Sequence, residues 1–521
     1  MNNKIKNGLF GLLFIALTAS VNHAQTPGSL DAQFGAAGVA QVAFSNFFSE
    51  CRGMALQQDG KIVLAGTLLS GGNVSYAFSR LNTNGTPDNT FGTAGKASVP
   101  LNSGTASFST VRTLSNGKII AAGTLNSQPV LVRINANGTA DNTFGTNGVL
   151  TFTGDMTGIL DLVVLSTGKM VGCGLADQGS GKIFAVFRRN ADGTADNTFG
   201  TNGFAYANVG NQPSLTRMAV QNDGKLVLTG TIYNTSKMEY DLILFRFTAA
   251  GVADNTFGTS GKVTTDLPTT QAYEQGNALA IQLDNKIVVA ARVTNPSPVL
   301  YCIIRYSANG VLDNTFGTNG YTTVNFNSNF DEPKAIAVQS DGKIVVAGAT
   351  LNGTVREFAI ARLTKTGALD NTFDGDGKVT TVIGTKAFGE AIALQPDGKI
   401  VVAGYATVGG LSQFAATRYN AGTIVGTQDL TSGPGALEVF PNPVAAGAVC
   451  TLQLDLTEPQ HCRVQLFGTD GRLLRAYPAQ YLPAGRQKLT LELPEAVPAG
   501  QAILQVETET GKGSVVLYLT Q

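Results

Sequence analysis

The chain has 521 residues, of which 43% are apolar and only 14% charged, with 62 glycines and no tryptophan. Acidic and basic residues balance to a formal net charge of zero, which argues against nucleic acid or an anionic membrane as partner. Low charge with abundant Gly, Val, Ile, Thr and Phe fits a turn-rich all-β protein.

In chain order, the first element reads as a signal peptide. Lys4 and Lys6 form a basic start and Leu9–Ala19 an apolar core too short to span a bilayer. Cleavage is expected after Ala24, so the signal segment is 1–24. No later segment is long and apolar enough to cross a membrane as a helix. The expected address is therefore secreted or on the outer cell surface.

From Leu30 onward one unit of roughly 57 residues recurs seven times. A Leu/Pro/Ala-Asp-Asn-Thr-Phe-Gly signature places its Phe at 34, 91, 144, 199, 257, 316 and 373. A second signature, Gln-x-Asp-Gly-Lys-Ile-Val-Val-Ala-Gly, places its Lys at 61, 118, 169, 225, 286, 343 and 399. A third is an apolar strand ending in Arg at 80, 133, 188, 246, 305, 362 and 418. Each unit reads as four strands. In the copy from Gly261 they are Lys262–Thr265, Ala278–Leu283, Lys286–Val293 and Leu300–Tyr306, with a tight turn at Asp284-Asn285. Asp-Gly or Asn-Gly at this turn in other copies predicts a type I′ hairpin.

Four strands per unit, seven units and no helix signal predict a seven-bladed β-propeller. The phase agrees: a strand near Val39–Phe44 is left over at the start, and the last unit stops after its third strand near Tyr419. Joining the two closes the ring. The run before the Asp-Gly turn, as in Met54-Ala55-Leu56, has small residues interleaved and is expected innermost. The strand after the Phe-Gly loop is expected outermost. An open solenoid is the alternative, and it leaves edges that need caps. These repeats resemble the delta-60 repeat family over Leu30 to about Gly422. That resemblance implies no activity for individual residues.

After the repeats, residues 25–425, the phase is lost, and residues 426–434 read as a linker. Residues 435–521 read as short alternating strands between Gly, Pro and Asp turns, an Ig-like β-sandwich. The Pro441-Asn442-Pro443 opening, the Asp470-Gly471-Arg472 hairpin and Ala499-Gly500 before the penultimate strand are similar to the type A C-terminal sorting domain of the type IX secretion system. The resemblance implies export across an outer membrane, with that machinery as partner. The Leu519-Thr520-Gln521 terminus departs from the basic ending of many members.

Histidine occurs only at 23 and 461, so the repeats can hold neither a Ser-His-Asp set nor a His-ligated metal. Cys51, Cys173 and Cys302 fall at different points of the unit and read as small buried residues. Cys450 and Cys462 could pair, although a simple hairpin turning at Glu458–Gln460 would keep them apart. The Asp at 31, 88, 141, 196, 254, 313 and 370 recurs with the Lys and Arg. Equal placement implies an equal structural task, such as capping a turn or pairing Asp with Arg. Function is expected where the copies differ, in loops such as Leu68–Tyr76, Thr231–Tyr240 and Arg292–Pro298. Glu50, Glu274, Asp331, Glu332 and Glu390 cluster where the innermost strands begin. They suggest an acidic ring at a channel mouth that binds a cation or basic ligand. Asp374 and Asp376 match part of a calcium loop, with fewer carboxylates than a full one requires; calcium is the cofactor they suggest, and no other is expected. The function expected is non-catalytic binding of an extracellular glycan or protein. The alternative is a carboxylate-only enzyme such as a glycoside hydrolase.

Overall fold

The computed structural model describes residues 26–422, 428–429 and 437–520, apart from 46, 104, 153, 155, 180, 268–272, 295–296, 340, 396, 457, 469–472, 496–499 and 509–510. The signal segment, most of the linker, the Asp470-Gly471-Arg472 turn and Ala499 lie outside the described residues. No helix occurs among the described residues, and none is long and apolar enough to cross a membrane.

The repeats form seven four-stranded antiparallel units. In unit one the strands are Phe48–Leu56, Ile62–Ser70, Asn73–Leu81 and Lys96–Ser103, from inner to outer. The inner strands of units two to seven are Ala106–Thr113, Asp161–Val164, Ser214–Val220, Tyr273–Ile281, Asp331–Val338 and Lys386–Leu394. Each touches the inner strand of the next unit, and the last touches the first. The fourth strand of unit seven comes from the N-terminus: Val39–Val42 pairs antiparallel with Leu411–Tyr419.

Second and third strands read as unbroken apolar runs because a neighbouring unit covers each face. Val63, Ala65, Tyr76 and Phe78 of unit one pack on Phe108, Val111 and Ile119 of unit two. Val401, Ala403 and Phe414 of unit seven pack likewise on Cys51, Ile62 and Leu64 of unit one. The stability of each unit therefore comes mainly from its neighbours, and the ring is one cooperative core.

The repeated Asp, Lys and Arg form one station per unit. In unit four, Arg246 Nε meets Asp254 Oδ2 at 2.8 Å, Lys225 Nζ reaches the same oxygen at 3.3 Å, and the guanidinium lies 4.5 Å from the Phe257 ring centre. Asp254 Oδ1 accepts from the Thr256 backbone N–H and hydroxyl, closing the loop. Each Arg then donates to a backbone carbonyl of the following unit: Arg80 to Ala136, Arg133 to Ala191, Arg188 to Ala249. Arg246, Arg305 and Arg362 reach Ala308, Lys365 and Ala421, and Arg418 returns to Thr83 of unit one. Burial would raise these carboxyls, but the Thr hydrogen bonds and the cations outweigh it and hold Asp254 and Asp313 at about 2.

Two local features depart from expectation. The Asp-Gly turn is not type I′. In unit one only Gly60 has positive φ (78°), Gly60 N–H donates to Gln57 O, and Gln57 N–H donates to Lys61 O. That is a three-residue loop with one left-handed position, which Gly, or Asn285 in unit five, supplies. The inner strands also carry a bulge, at Arg52, Ser109, Thr216, Asn277, Lys334 and Glu390, where the register skips one residue. The final Gly of the Val-Val-Ala-Gly signature faces it. A Cβ on Gly66 would lie 1.9 Å from Glu50 O, and one on Gly404 1.8 Å from Phe388 O. Unit five alone has Ala at this position, Ala291, paired with Gly276.

The C-terminal segment forms two sheets over one core of Leu452, Leu466, Leu491, Leu504 and their neighbours. Gln428–Asp429, within the expected linker, already pairs with the last strand. Cys450 and Cys462 do not flank a hairpin. They sit on different sheets, both buried as free thiols in the shared core.

Candidate ligand-binding site on the variable face

The acids expected at the channel mouth do not form a ring of like charge. Arg52 binds Glu50 at 2.7 Å and Glu390 of unit seven at 3.1 Å, and Lys334 binds Glu332 at 2.7 Å. Glu50, Glu332 and Glu390 are thus drawn into a belt of mixed charge. Burial raises the Glu390 carboxyl, and Arg52 and Lys334 oppose the shift. Other inner-strand side chains latch one unit to the next. Asn277 Nδ2 donates to Pro333 O at 2.8 Å, and Arg112 reaches Asp161 at 2.8 Å.

Asp331 and Glu274 occupy equivalent positions and tie down the preceding loop instead. Asp331 accepts from Phe326 N–H and Thr350 Oγ1. Glu274 Oε1 accepts from Leu267 N–H at 2.8 Å. Burial pushes the Glu274 carboxyl up to about 8, with the charges of Asp266 and Asp241 adding to the shift. Asp374 and Asp376 are exposed, and Asp376 is paired with Lys378 at 3.3 Å. Among the described residues no third acid joins them.

On the face that carries the variable loops, arginines and aromatic rings alternate along the seams between units. The Arg52 guanidinium stands 5.1 Å from the Tyr405 ring, which stacks on Phe388 at 4.9 Å. Arg356 lies between Phe388 (5.2 Å) and Phe330 (4.5 Å), and Arg292 between Phe330 (5.0 Å) and Tyr273 (5.9 Å). Cation–π contact of this kind stiffens a half-buried surface. The arc runs on through Tyr273 and Tyr240, 5.1 Å apart, to Tyr233, again at 5.1 Å.

At that end the three tyrosines border a cleft of about 960 Å³ between units three and four. Its other walls carry Lys182, Asn211, Gln212, Ser214 and Thr231. Tyr240 donates its hydroxyl to Gln212 Oε1 at 3.0 Å, and Thr231 Oγ1 is buried without a hydrogen-bond partner among the described residues. Flat aromatic faces beside amides and hydroxyls suit a ligand with apolar faces and many hydroxyl groups. The loop Thr231–Tyr240 lay in the sequence as one of the variable segments. The ring contacts between copies had no sequence signal, because the aromatics, apart from Tyr273 and Phe330, come from different positions of the unit.

A sequence profile described as a β-propeller domain of unknown function (DUF5122) matches residues 57–91, 114–144, 221–257, 282–316, 339–373 and 395–422. The chain is a repeat β-propeller protein. A comparison with curated proteins gives no match. Among solved structures, a protein from Lactobacillus plantarum is 14% identical, with TM-score 0.43, covering 64% of this chain and 86% of its own. The polysaccharide lyase Uly1 is 10% identical, with TM-score 0.43, covering 71% and 90%. Acylaminoacyl peptidase from Pyrococcus horikoshii is 8% identical, with TM-score 0.36, covering 78% of this chain and 58% of that one. The repeat β-propeller holds its Asp–Lys–Arg stations on the opposite face from the tyrosine cleft. Arg463 of the C-terminal segment approaches that opposite face, reaching Asn222 at 3.4 Å.

Proposed function

We propose that this protein is an exported, non-catalytic binding protein whose seven-bladed propeller holds a glycan chain in the tyrosine cleft. The observation that carries the reading is the run of Tyr233, Tyr240 and Tyr273 beside Asn211 and Gln212. Sugar rings offer apolar faces to aromatic rings and hydroxyls to amides. The test is calorimetric titration of the purified protein with a panel of soluble oligosaccharides. At least one is expected to bind, and Tyr240→Ala to weaken it about tenfold or more. Failure of every glycan, or Tyr240→Ala binding like the parent, refutes the proposal.

A carboxylate-only enzyme requires an acid of raised pKa opening onto the cleft. Glu274 has the raised carboxyl but is 1% exposed and lies on the side of its strand opposite Tyr273. Binding is therefore the stronger reading.

Export rests on the sequence of residues 1–24 and on the resemblance of residues 435–521 to an Ig-like sorting domain. Removing residues 435–521 is expected to leave the protein in the periplasm. Unchanged arrival in the medium or on the cell surface would count against type IX export.

A further inference from the structure

We propose that Glu239, Asp241 and Asp266 form a binding site for a divalent cation of the calcium class at the seam between units four and five, beside the buried carboxyl of Glu274. One ligand oxygen from each of the first three lies within 4.8 Å of the others. Two oxygens bound to one calcium ion can be at most about 5 Å apart, so a single ion can reach all three.

The second observation is Glu274. It is 1% exposed, and its Oε2 is buried with no hydrogen-bond partner among the described residues, while Oε1 is pinned by Leu267 N–H next to Asp266. Its direction follows from strand pairing. Tyr240 and Tyr273 face each other in a parallel bridge. Their successors Asp241 and Glu274 therefore lie side by side and point to the opposite side of the strands from the tyrosines. An unpaired carboxylate oxygen so placed is costly unless a cation or a proton meets it. An all-carboxylate donor set selects a hard cation over a transition metal.

Lys237 now neutralises part of this charge. Its Nζ bonds Asp266 and lies 3.5 Å from Glu239 Oε1. The lysine is half exposed and sits on an exposed turn, so it can swing into water as an ion enters. Three carboxylates against one ammonium leave negative charge for a divalent ion to balance. The proposal does not depend on the glycan reading. Because Tyr240 separates Glu239 from Asp241, an occupied site would also fix one wall of the cleft.

The test uses the whole protein and Tb³⁺, whose emission nearby tyrosines sensitise. Saturable emission is expected, displaced by Ca²⁺ with a dissociation constant of about 0.1–1 mM, the range of extracellular calcium modules. Asp241→Asn should weaken Ca²⁺ about tenfold or more, and Lys237→Met should tighten it. Asp266→Asn, at an exposed position, is the second variant should Asp241→Asn misfold. No saturable emission, or emission and displacement unchanged in Asp266→Asn and Lys237→Met, overturns the proposal. Failure of every glycan to bind, with Ca²⁺ binding intact, would refute the glycan reading alone.

Discussion

Truncating Arg246 to Ala tests whether the stations bind the ring together. Its side chain is 1% exposed and holds Asp254 at 2.8 Å, and Asp254 is itself buried. Removing one member of a buried pair costs about 3–5 kcal/mol, because the other charge is left without its partner. Lys225, at 3.3 Å, offsets part of this loss. Loss of the hydrogen bond to Ala308 O of the next unit adds about 1.5 kcal/mol, since the donor is charged. The net expectation is about 4 kcal/mol. In unit three the same substitution should cost less. The Arg188 side chain is 14% exposed, and Lys169 stays on Asp196 at 2.7 Å, so about 2 kcal/mol is expected. Urea unfolding followed by tyrosine fluorescence measures both, because the chain has thirteen tyrosines and no tryptophan. Arg246→Ala within about 1 kcal/mol of the parent, or Arg188→Ala costing as much as Arg246→Ala, would refute the reasoning.

Gly66→Ala should destabilise by about 1–3 kcal/mol through collision with Glu50 O, whereas Ala291→Gly in unit five should cost at most about 1 kcal/mol. The same urea experiment decides, and equal effects would remove the bulge explanation. The station aspartates also set an acid limit. Their folded-state carboxyls lie below the unfolded value of about 3.9, so their contribution is whole above about pH 5 and is lost as pH falls. For Asp254 and Asp313 the loss runs down through about pH 2. Midpoint temperatures should drop between about pH 4 and 2, and a flat profile there would contradict the assignment.

The parts of the molecule that repeat were legible in the sequence, and the parts that break the repeat were not. Phe34 and Arg418 belong to opposite ends of the chain, yet their shared signatures were enough to expect them in one unit, and they meet at 4.9 Å. The left-over Val39–Val42 followed from phase in the same way, and the inner strand from the small residues interleaved in its run. The bulges were hidden because the residues around them, such as Glu50-Cys51-Arg52-Gly53, carry no regular apolar alternation in which the slip of phase would stand out. They also separate the acids. Glu50 and Glu390 are drawn to Arg52, whereas Glu274, expected beside them, turns toward Asp241. Asp241 and Asp266 carry no motif, since they come from a third strand and the loop after an outer strand, brought together only by pairing. The repeat thus specifies a frame with one paired Asp–Lys–Arg station in each unit. Within it, the buried Glu274 oxygen is conspicuous because equivalent Asp331 satisfies both of its own, one on Phe326 N–H and one on Thr350. Two units that solve the same structural problem should leave the same atoms paired. Where one of them does not, the missing partner is the place to look for a ligand.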